Sequence, residues 1–485
     1  MSALMIAQLA NRQRESKIWR HRLKLRFPLS AWQWIFRSIA GLLLPVLLFP
    51  AQILLATSIP GSSVPFAQGD ASATTTQTPA PNTNAAYSLP PEKLAKAIRL
   101  SRDYTILQFA ATAWQLIFLV LLLFTRSLAA LAGWAEDLTS KRWLQGLLFL
   151  PLLLLLISLS NLPFSMTGHW LSVSYGLSIQ HWGSWFLDRG KSLLLTLVFG
   201  TLILLVLERL IRKFPRRWWL YFWVGSLPFI VATIFVIPVV IDPIFNHFEP
   251  LTRSNPALVN DLERVVARTG TNIPPERMYL MKASEKLTVP NAYVTGLGST
   301  KRVVVWDTTI KTAPTDDILF IFGHESGHYV LNHIWKGIAF YSLVLLLLLW
   351  IGYHFVAWLI ARYGERWRIA KVEDWAAVGV LLLAFSLLNF LSDPINNTFS
   401  RALEHDADVY GQEAMHGVVA DPQATAQHAF QLLGESYLED PNPGSLLEFW
   451  TYDHPSTLHR AAFAAGYNPW VGAQKPSYFP PDPPK

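Results

Sequence analysis

Apolar residues gather in blocks of about twenty along most of this chain, with short polar stretches between them. The blocks fall at 39–59, 105–125, 144–162, 192–208, 219–241, 338–360 and 375–392. Each approaches the length that a bilayer core of about 30 Å requires of a helix. The pattern therefore predicts seven spans. It predicts six if the first block belongs to a cleaved signal peptide, for which Ala71-Ser72-Ala73 is a suitable small-x-small site. The block at 192–208 is the shortest and extends readily through Leu210.

Two segments break the pattern, 243–337 and 393–485. In the first, Leu258, Leu262, Val265 and Val266 are spaced for one face of a helix. Three runs rich in β-formers follow, "RMYLM", "NAYVTG" and "RVVVWD". They predict a small antiparallel sheet with a hairpin across the Gly-rich "LGST". A helix is expected over 316–333, with Thr315 as its N-cap and Asp316 and Asp317 favouring its dipole. The second segment reads as helical early and ends in the Pro-rich tail "YFPPDPPK".

The fold class expected is thus mainly α, a multi-span membrane protein carrying an α+β domain with a small antiparallel sheet. Its parts are a basic head with a signal anchor or signal peptide (1–59), a disordered linker (60–90), and transmembrane helices (91–242). Next come the first part of the extramembrane domain (243–337), a transmembrane hairpin (338–392), its second part (393–465), and the tail (466–485).

Composition agrees with a bilayer as solvent. The chain is 52% hydrophobic and only 15% charged, where soluble domains carry about a quarter charged residues. The net charge of +7 lies in short Lys/Arg clusters beside apolar runs, which favours topology over nucleic-acid binding. The absence of cysteine excludes disulfides and Cys-ligated zinc. Basic loops at 126–143, 209–217 and 361–371 fall on one side with the basic head. The positive-inside rule puts that side in the cytoplasm, and both extramembrane segments together on the opposite side. Lys93, Lys96, Arg99 and Arg102, in the 60–104 loop, run against that count.

The candidate chemistry starts at "TDDILFIFGHESGHYVLNH", 315–333. His324 and His328 stand four apart on one helical face, so both imidazoles can reach one zinc, and Glu325 lies beside the metal. Chance spells H-E-x-x-H in such a chain roughly once or twice in a hundred. The third ligand is sought in "SRALEHDADVYG", 400–411. Glu404 can bind the metal, with Asp408, four residues on, accepting the outer N–H of a ligand histidine. His405 and Asp406 are rivals, and a merely charged helix face is the plain alternative. His333, five residues from His328, leaves the ligand face, and His354 sits in a span. One zinc per chain is expected, with an open position for water as a catalytic site requires. Glu325 would take the water's proton and return it to the leaving amine. Oxyanion donors are sought in "TYDHPSTLHR", among His454, Arg460 and Tyr452. An extended substrate needs a strand edge, which "NAYVTG" offers if it is not an interior strand.

"DPIFNHFEPL", "NAYVTGLGSTKRVVVWDTTI", "HESGH", "SRALEHDADVYG" and "YDHPSTLHR" together resemble the integral-membrane zinc peptidases of the type 1 CAAX prenyl protease family. The resemblance is strong over about 240–465. It implies a seven-span helical barrel around a chamber, closed by a zincin-like domain. It implies His324, His328 and Glu404 as zinc ligands, Glu325 as base and Asp408 as supporting acid. It also places Asn291, His454 and Arg460 near substrate and oxyanion, and Tyr293 of "NAYVTG" is a further substrate-binding candidate. The family's acidic motif has only "SVSYGLS" in its place here. The partners expected are a peptide or protein substrate, membrane-associated or lipidated, and a lipid bilayer, with no nucleic acid. The expected location is a bacterial inner membrane. The family presents its zinc domain to the cytoplasm, opposite to the charge count. Two other classes compete: an intramembrane site-2-type protease, using Asp393 as third ligand, and a non-catalytic transporter or scaffold.

Overall fold

The computed structural model describes residues 87–471 and 475–480; the apolar block at 39–59 and most of the linker lie outside them. Among the described residues, six helices are long and apolar enough to cross a membrane. They are α1 (Pro91–Phe124), α3 (Arg142–Ser174), α4 (Trp182–Lys213), α5 (Trp218–Phe245), α8 (His333–Trp367) and α9 (Ala377–Ala414), with a shorter α2 (Ser127–Leu138) after the first. Short π-helical turns at Thr196–Gly200 and Ile237–Ile241 interrupt α4 and α5.

The three basic loops gather at one end of this bundle. Arg126 Nε donates to the Arg366 carbonyl (3.0 Å), Arg142 Nε to Glu208 (3.0 Å), and the Arg142 guanidinium stacks on Trp375. The extramembrane domain occupies the other end. There α1 outruns its apolar block: Ala97 and Leu94 join that domain's core and Lys93 pairs with Glu435 (3.3 Å). The basic residues of 93–102 thus belong to a helix riding on the domain. Tyr87 and Leu89, which the linker reading left outside any core, are buried in it too.

The domain is built on a four-stranded sheet of β1 (Phe248–Pro250), β2 (Met278–Met281), β3 (Ala292–Thr295) and β4 (Arg302–Trp306), in the order β1-β2-β4-β3. The expected hairpin forms between β3 and β4. The sheet, however, is mixed rather than antiparallel, because β2 pairs parallel to β4. The reason lies in burial. "RVVVW" is apolar on both faces, with Val303 and Val305 in one core and Val304 in another. A strand that is apolar on both sides takes an interior place, so β4 inserts beside β2 and leaves β3 at the edge. The hairpin turns at Gly296, where φ is +86° and a Cβ would come 2.3 Å from the Thr300 carbonyl oxygen. Only glycine meets both demands.

Against one sheet face pack α6 (Pro256–Thr269), α7 (Thr315–Val330), α10 (Pro422–Tyr437) and α12 (Thr457–Gly466), with a short α11 (Ser445–Thr451) before the last. Helix α7 starts on Thr315 itself, with Pro314 at the cap position and no side-chain cap bond. Asp317 anchors its first turn to His428 of α10 (2.6 Å). Helix α9 is the longest element, 38 residues or about 57 Å, so one rod crosses the apolar layer and ends inside the domain. Part of the Pro-rich tail is also held, since the backbone N–H groups of Ser477, Tyr478 and Phe479 all donate to the Glu413 carboxylate.

Helices α7 and α9 meet through glycines. A Cβ on Gly411 would lie 2.8 Å from the His324 backbone nitrogen, and one on Gly327 about 3.1 Å from the Tyr410 ring. Gly323 faces Met415 and the Gly411 carbonyl in the same seam. Backbone cannot retreat as a flexible side chain can, so Gly411→Ala is expected to destabilise the protein by about 1–3 kcal/mol through overpacking. A thermal melt checks this, with Gly133→Ala as a control, because a Cβ there meets open space.

Candidate metal centre

The glycine seam sets His324 and His328 of α7 against Glu404 of α9. Their donor atoms lie within 4.8 Å of one another. His324 Nε2 and His328 Nε2 are 3.2 Å apart, and Glu404 places one carboxylate oxygen 3.3 Å from the first and the other 3.4 Å from the second. Ligands of a tetrahedral zinc at about 2.0–2.1 Å from the metal stand about 3.3 Å from each other. The three separations match that requirement. The electrostatics match it as well. Burial opposes a charge on His324, yet hydrogen bonds to Asp408 and Glu404 outweigh it and hold its pKa up at about 10. His328 is pushed down to about 3 by burial. His328 is thus held neutral, with a ring lone pair to offer, and the acids that favour charge on His324 are the groups a divalent cation would meet there.

Around the trio the structure arranges further groups. Asp408 Oδ1 is 2.8 Å from His324 Nδ1, on the ring edge away from the metal position. Arg460 of α12 grips Asp408 with both arms of its fork, Nε to Oδ2 at 2.9 Å and Nη2 to Oδ1 at 2.6 Å. The same Nη2 lies 3.7 Å from Glu404. Both of Arg460's donor positions toward the site are therefore engaged by carboxylates. His454 Nε2 is 3.4 Å from Glu404, while its Nδ1 bonds Asp453 at 2.9 Å. Tyr452 is a fully buried core residue.

Glu325 is partly buried, desolvation raises its pKa, and its carboxylate accepts from the Val294 backbone N–H. That contact joins the H-E-x-x-H helix to strand β3. In the β3–β4 register Asn291 turns its carbonyl toward β4, accepting from Trp306. By alternation, Ala292 and Val294 direct their backbone groups outward along the free edge. The alternation also sorts the side chains. Tyr293 packs with Met281, Ala283 and Val304 on the sheet face away from α7. Asn291 is held through its backbone by Thr309, at 2.7 Å from N and 2.6 Å from O. Neither residue joins the metal-ligand cluster through its side chain in any contact seen here.

Asp393 is separated from Glu404 by eleven residues of α9, or about 16 Å of rise, and stands outside the trio. His405 instead meets Phe463 edge-to-face, with ring centroids 4.8 Å apart.

Two residues near the site have roles that sequence reasoning did not assign. His333 Nδ1 is 3.0 Å from His328 Nδ1 and so braces that ring. Counting along one helix turns His333 off the ligand face, but Asn332 has φ +59° and breaks α7 from α8, which resets the count. Arg401, one turn before Glu404, donates to the carbonyls of Tyr452 (2.6 Å) and Glu448 (3.3 Å). It fixes the strand of chain that delivers His454. The only sequence signal for this is an arginine one turn before Glu404 on the same helix.

Residues 72–247 match the family model described as CAAX prenyl protease N-terminal, five membrane helices, and residues 253–467 match that of peptidase family M48. The chain is 34% identical over 380 residues to a protein of Bacillus subtilis (strain 168) named uncharacterized metalloprotease YhfN, covering 77% of this chain and 86% of that one. It is 34% identical over 201 residues to CAAX prenyl protease 1 of Saccharomyces cerevisiae, covering 41% and 44% respectively. The crystal structure of S. mikatae Ste24p superposes with a TM-score of 0.68 at 23% identity, covering 91% of this chain and all of that one. It shares the fold.

Asp408 and Arg460 are both buried and mutually neutralised. Arg460→Ala strands a buried carboxylate and is expected to cost about 3–5 kcal/mol of stability. Thermal or denaturant unfolding of the purified protein checks this, and Arg460→Lys should recover part of the loss by restoring charge without the fork.

Proposed function

This chain belongs to peptidase family M48 and is a multi-pass membrane metallopeptidase; from that premise we propose a zinc endopeptidase that cleaves extended peptides delivered at the membrane surface. The observation that carries the proposal is the spacing of His324, His328 and Glu404, at 3.2–3.4 Å from each other. These three residues would hold the zinc. When bound, zinc supplies Lewis acidity, which makes water acidic enough to act as a nucleophile and polarises the peptide carbonyl.

The chain's own residues do the rest. Glu325, beside the ligands but not among them, takes the proton from the attacking water and passes it to the departing amine nitrogen. His454 is the donor to the carbonyl oxygen, since its Nε2 faces the metal position and Asp453 fixes the ring from behind. Arg460 acts through Asp408 rather than on substrate. Asp408 in turn sets the tautomer of His324, so that Nε2 offers its lone pair to the metal. The free edge of β3 aligns the substrate as an added strand through the outward backbone groups of Ala292 and the carbonyl of Val294. Asn291 sits at the head of that edge. Tyr293 serves it by keeping the strand packed on the sheet.

Substrates that are membrane-associated or lipidated suit this design, because the same rod that carries Glu404 emerges from the apolar layer. The curated relatives named CAAX prenyl protease 1 point the same way. A bacterial inner membrane is the setting we assign.

Glu325→Gln is expected to retain about one zinc per chain while cleavage of a reporter peptide falls by about 10²–10⁴-fold, the usual worth of a general base. Unchanged turnover in that variant overturns the mechanism. Glu404→Ala is expected to lose zinc and Asp393→Ala to keep it, read by metal analysis after dialysis. The reverse result would favour the site-2-type arrangement.

A further inference from the structure

A second polar feature lies away from the metal centre, between α3 and α4. A cavity of about 190 Å³ is bordered by Asn161 and Ser165 of α3 and by Arg189, Gly190 and Ser192 of α4, with Phe186 at its mouth. Within it, Nε and Nη2 of Arg189 are buried and have no hydrogen-bond partner among the described residues. The neighbouring acid does not serve it. Asp188 is already engaged by Lys286 (2.7 Å), Lys191 (3.2 Å) and Gln180 (2.8 Å). An unpaired guanidinium inside a membrane-spanning helix is costly, and such residues mark a place where an anion is met.

The depth of the site narrows the choice of anion. The loop 175–181 joins α3 to α4 and docks on the extramembrane domain, where Ser178 bridges to Leu287. Trp170 and Trp182 are exposed near that end, as aromatic residues are at the membrane–water boundary. Arg189 lies two turns further in. Its guanidinium sits over the Trp185 ring, 5.1 Å from the centroid, so it reaches back toward the boundary as long basic side chains do. Leu159 at the cavity's border, and Leu187 and Leu194 beyond it, present exposed apolar surface along the same two helices. The space equals that of about six waters. It holds a phosphate group but is smaller than the ~300 Å³ of an ordinary small-molecule site.

We propose that this cleft binds the phosphate of an anionic membrane lipid, with Arg189 as the clamp and the acyl chains lying along the apolar faces of α3 and α4. Hydroxyls of Ser165 and Ser192 and the amide of Asn161 supply further donors. Gly190 is part of the design, because a Cβ there meets nothing within 4 Å and the headgroup occupies that room. The site lies one residue from Asp188, whose bond to Lys286 ties α4 to the loop preceding β3. A lipid held here therefore touches the joint between the membrane helices and the extramembrane domain.

The test uses the full-length, zinc-loaded protein in bilayers of phosphatidylcholine with and without phosphatidylglycerol. Bound lipid is counted by native mass spectrometry after extraction. The parent should retain phosphatidylglycerol preferentially. Arg189→Gln should lower that preference about fivefold, the worth of roughly one basic residue near a membrane surface, and Arg189→Lys should keep most of it. Gly190→Leu fills the cleft with the charge intact and should lose the preference while folding normally. Equal retention by parent and Arg189→Gln overturns the proposal. So does displacement of the lipid by millimolar inorganic phosphate, which would make the cleft a site for free anions. A third overturning result is an Arg189→Gln defect confined to cleavage of peptides with a free C-terminal carboxylate, which would assign the cleft to substrate.

Discussion

The close approach of α7 and α9 is the constraint on which the rest of this protein depends. The three candidate donor groups stand 3.2–3.4 Å apart, and two of them come from one helix and the third from another. Helices with ordinary side chains between them pack at about 8–10 Å. Here Gly411 faces the backbone of His324 directly, and Gly327 faces Tyr410. Removing those methyl groups from the seam lets Glu404 reach across to both imidazoles. The same glycines that look incidental in "FGHESGH" and "DVYGQE" therefore set the spacing of the two histidines and the glutamate.

Bringing charge into so tight a seam has a cost, and the structure offsets it in layers. Glu404 and Asp408 are buried acids on one face of α9. Arg460 neutralises Asp408 through a two-point fork and stands near Glu404. His454 approaches Glu404 from the other side. These pairings set opposite charges against one another, which limits the cost of burying the two acids in a low-dielectric seam. Arg401 and His333 act one step further out. The first holds the chain that carries His454, and the second braces His328.

The membrane and the chemistry are joined by a single rod. Helix α9 crosses the apolar layer with one half and carries Glu404 and Asp408 on the other. At the other end of the bundle, the Arg126, Arg142 and Trp375 contacts lock the basic loops together. Near the domain, the Asp188–Lys286 pair and the Ser178–Leu287 bridge tie α4 and the loop before it to the sheet. Position along the bilayer normal is thus transmitted to the site through backbone rather than through flexible linkers.

Much of this was legible in the sequence because the physics behind it is local. Blocks of apolar residues announce spans, since a bilayer core demands about twenty residues whatever lies beside them. Imidazoles four apart share a helix face, so H-E-x-x-H announces two candidate ligands with an acid beside them. Glu404 and Asp408 follow the same rule. Other features depend on what packs where, and a sequence does not state it. The parallel pairing of β2 with β4 follows from "RVVVW" being buried on both faces. Tyr293 faces away from α7 because register, not composition, assigns a strand residue to a side. Arg460, an oxyanion candidate by position, is bound to Asp408 because α12 packs across α9. His333 returns to the site because one left-handed residue, Asn332, ends the helix that would have turned it away. The sequence by itself determined which residues can bind a metal and which segments must lie in lipid. Only the tertiary structure decided which of them meet, because meeting is set by the distance between helices, and that distance is a property of two surfaces at once.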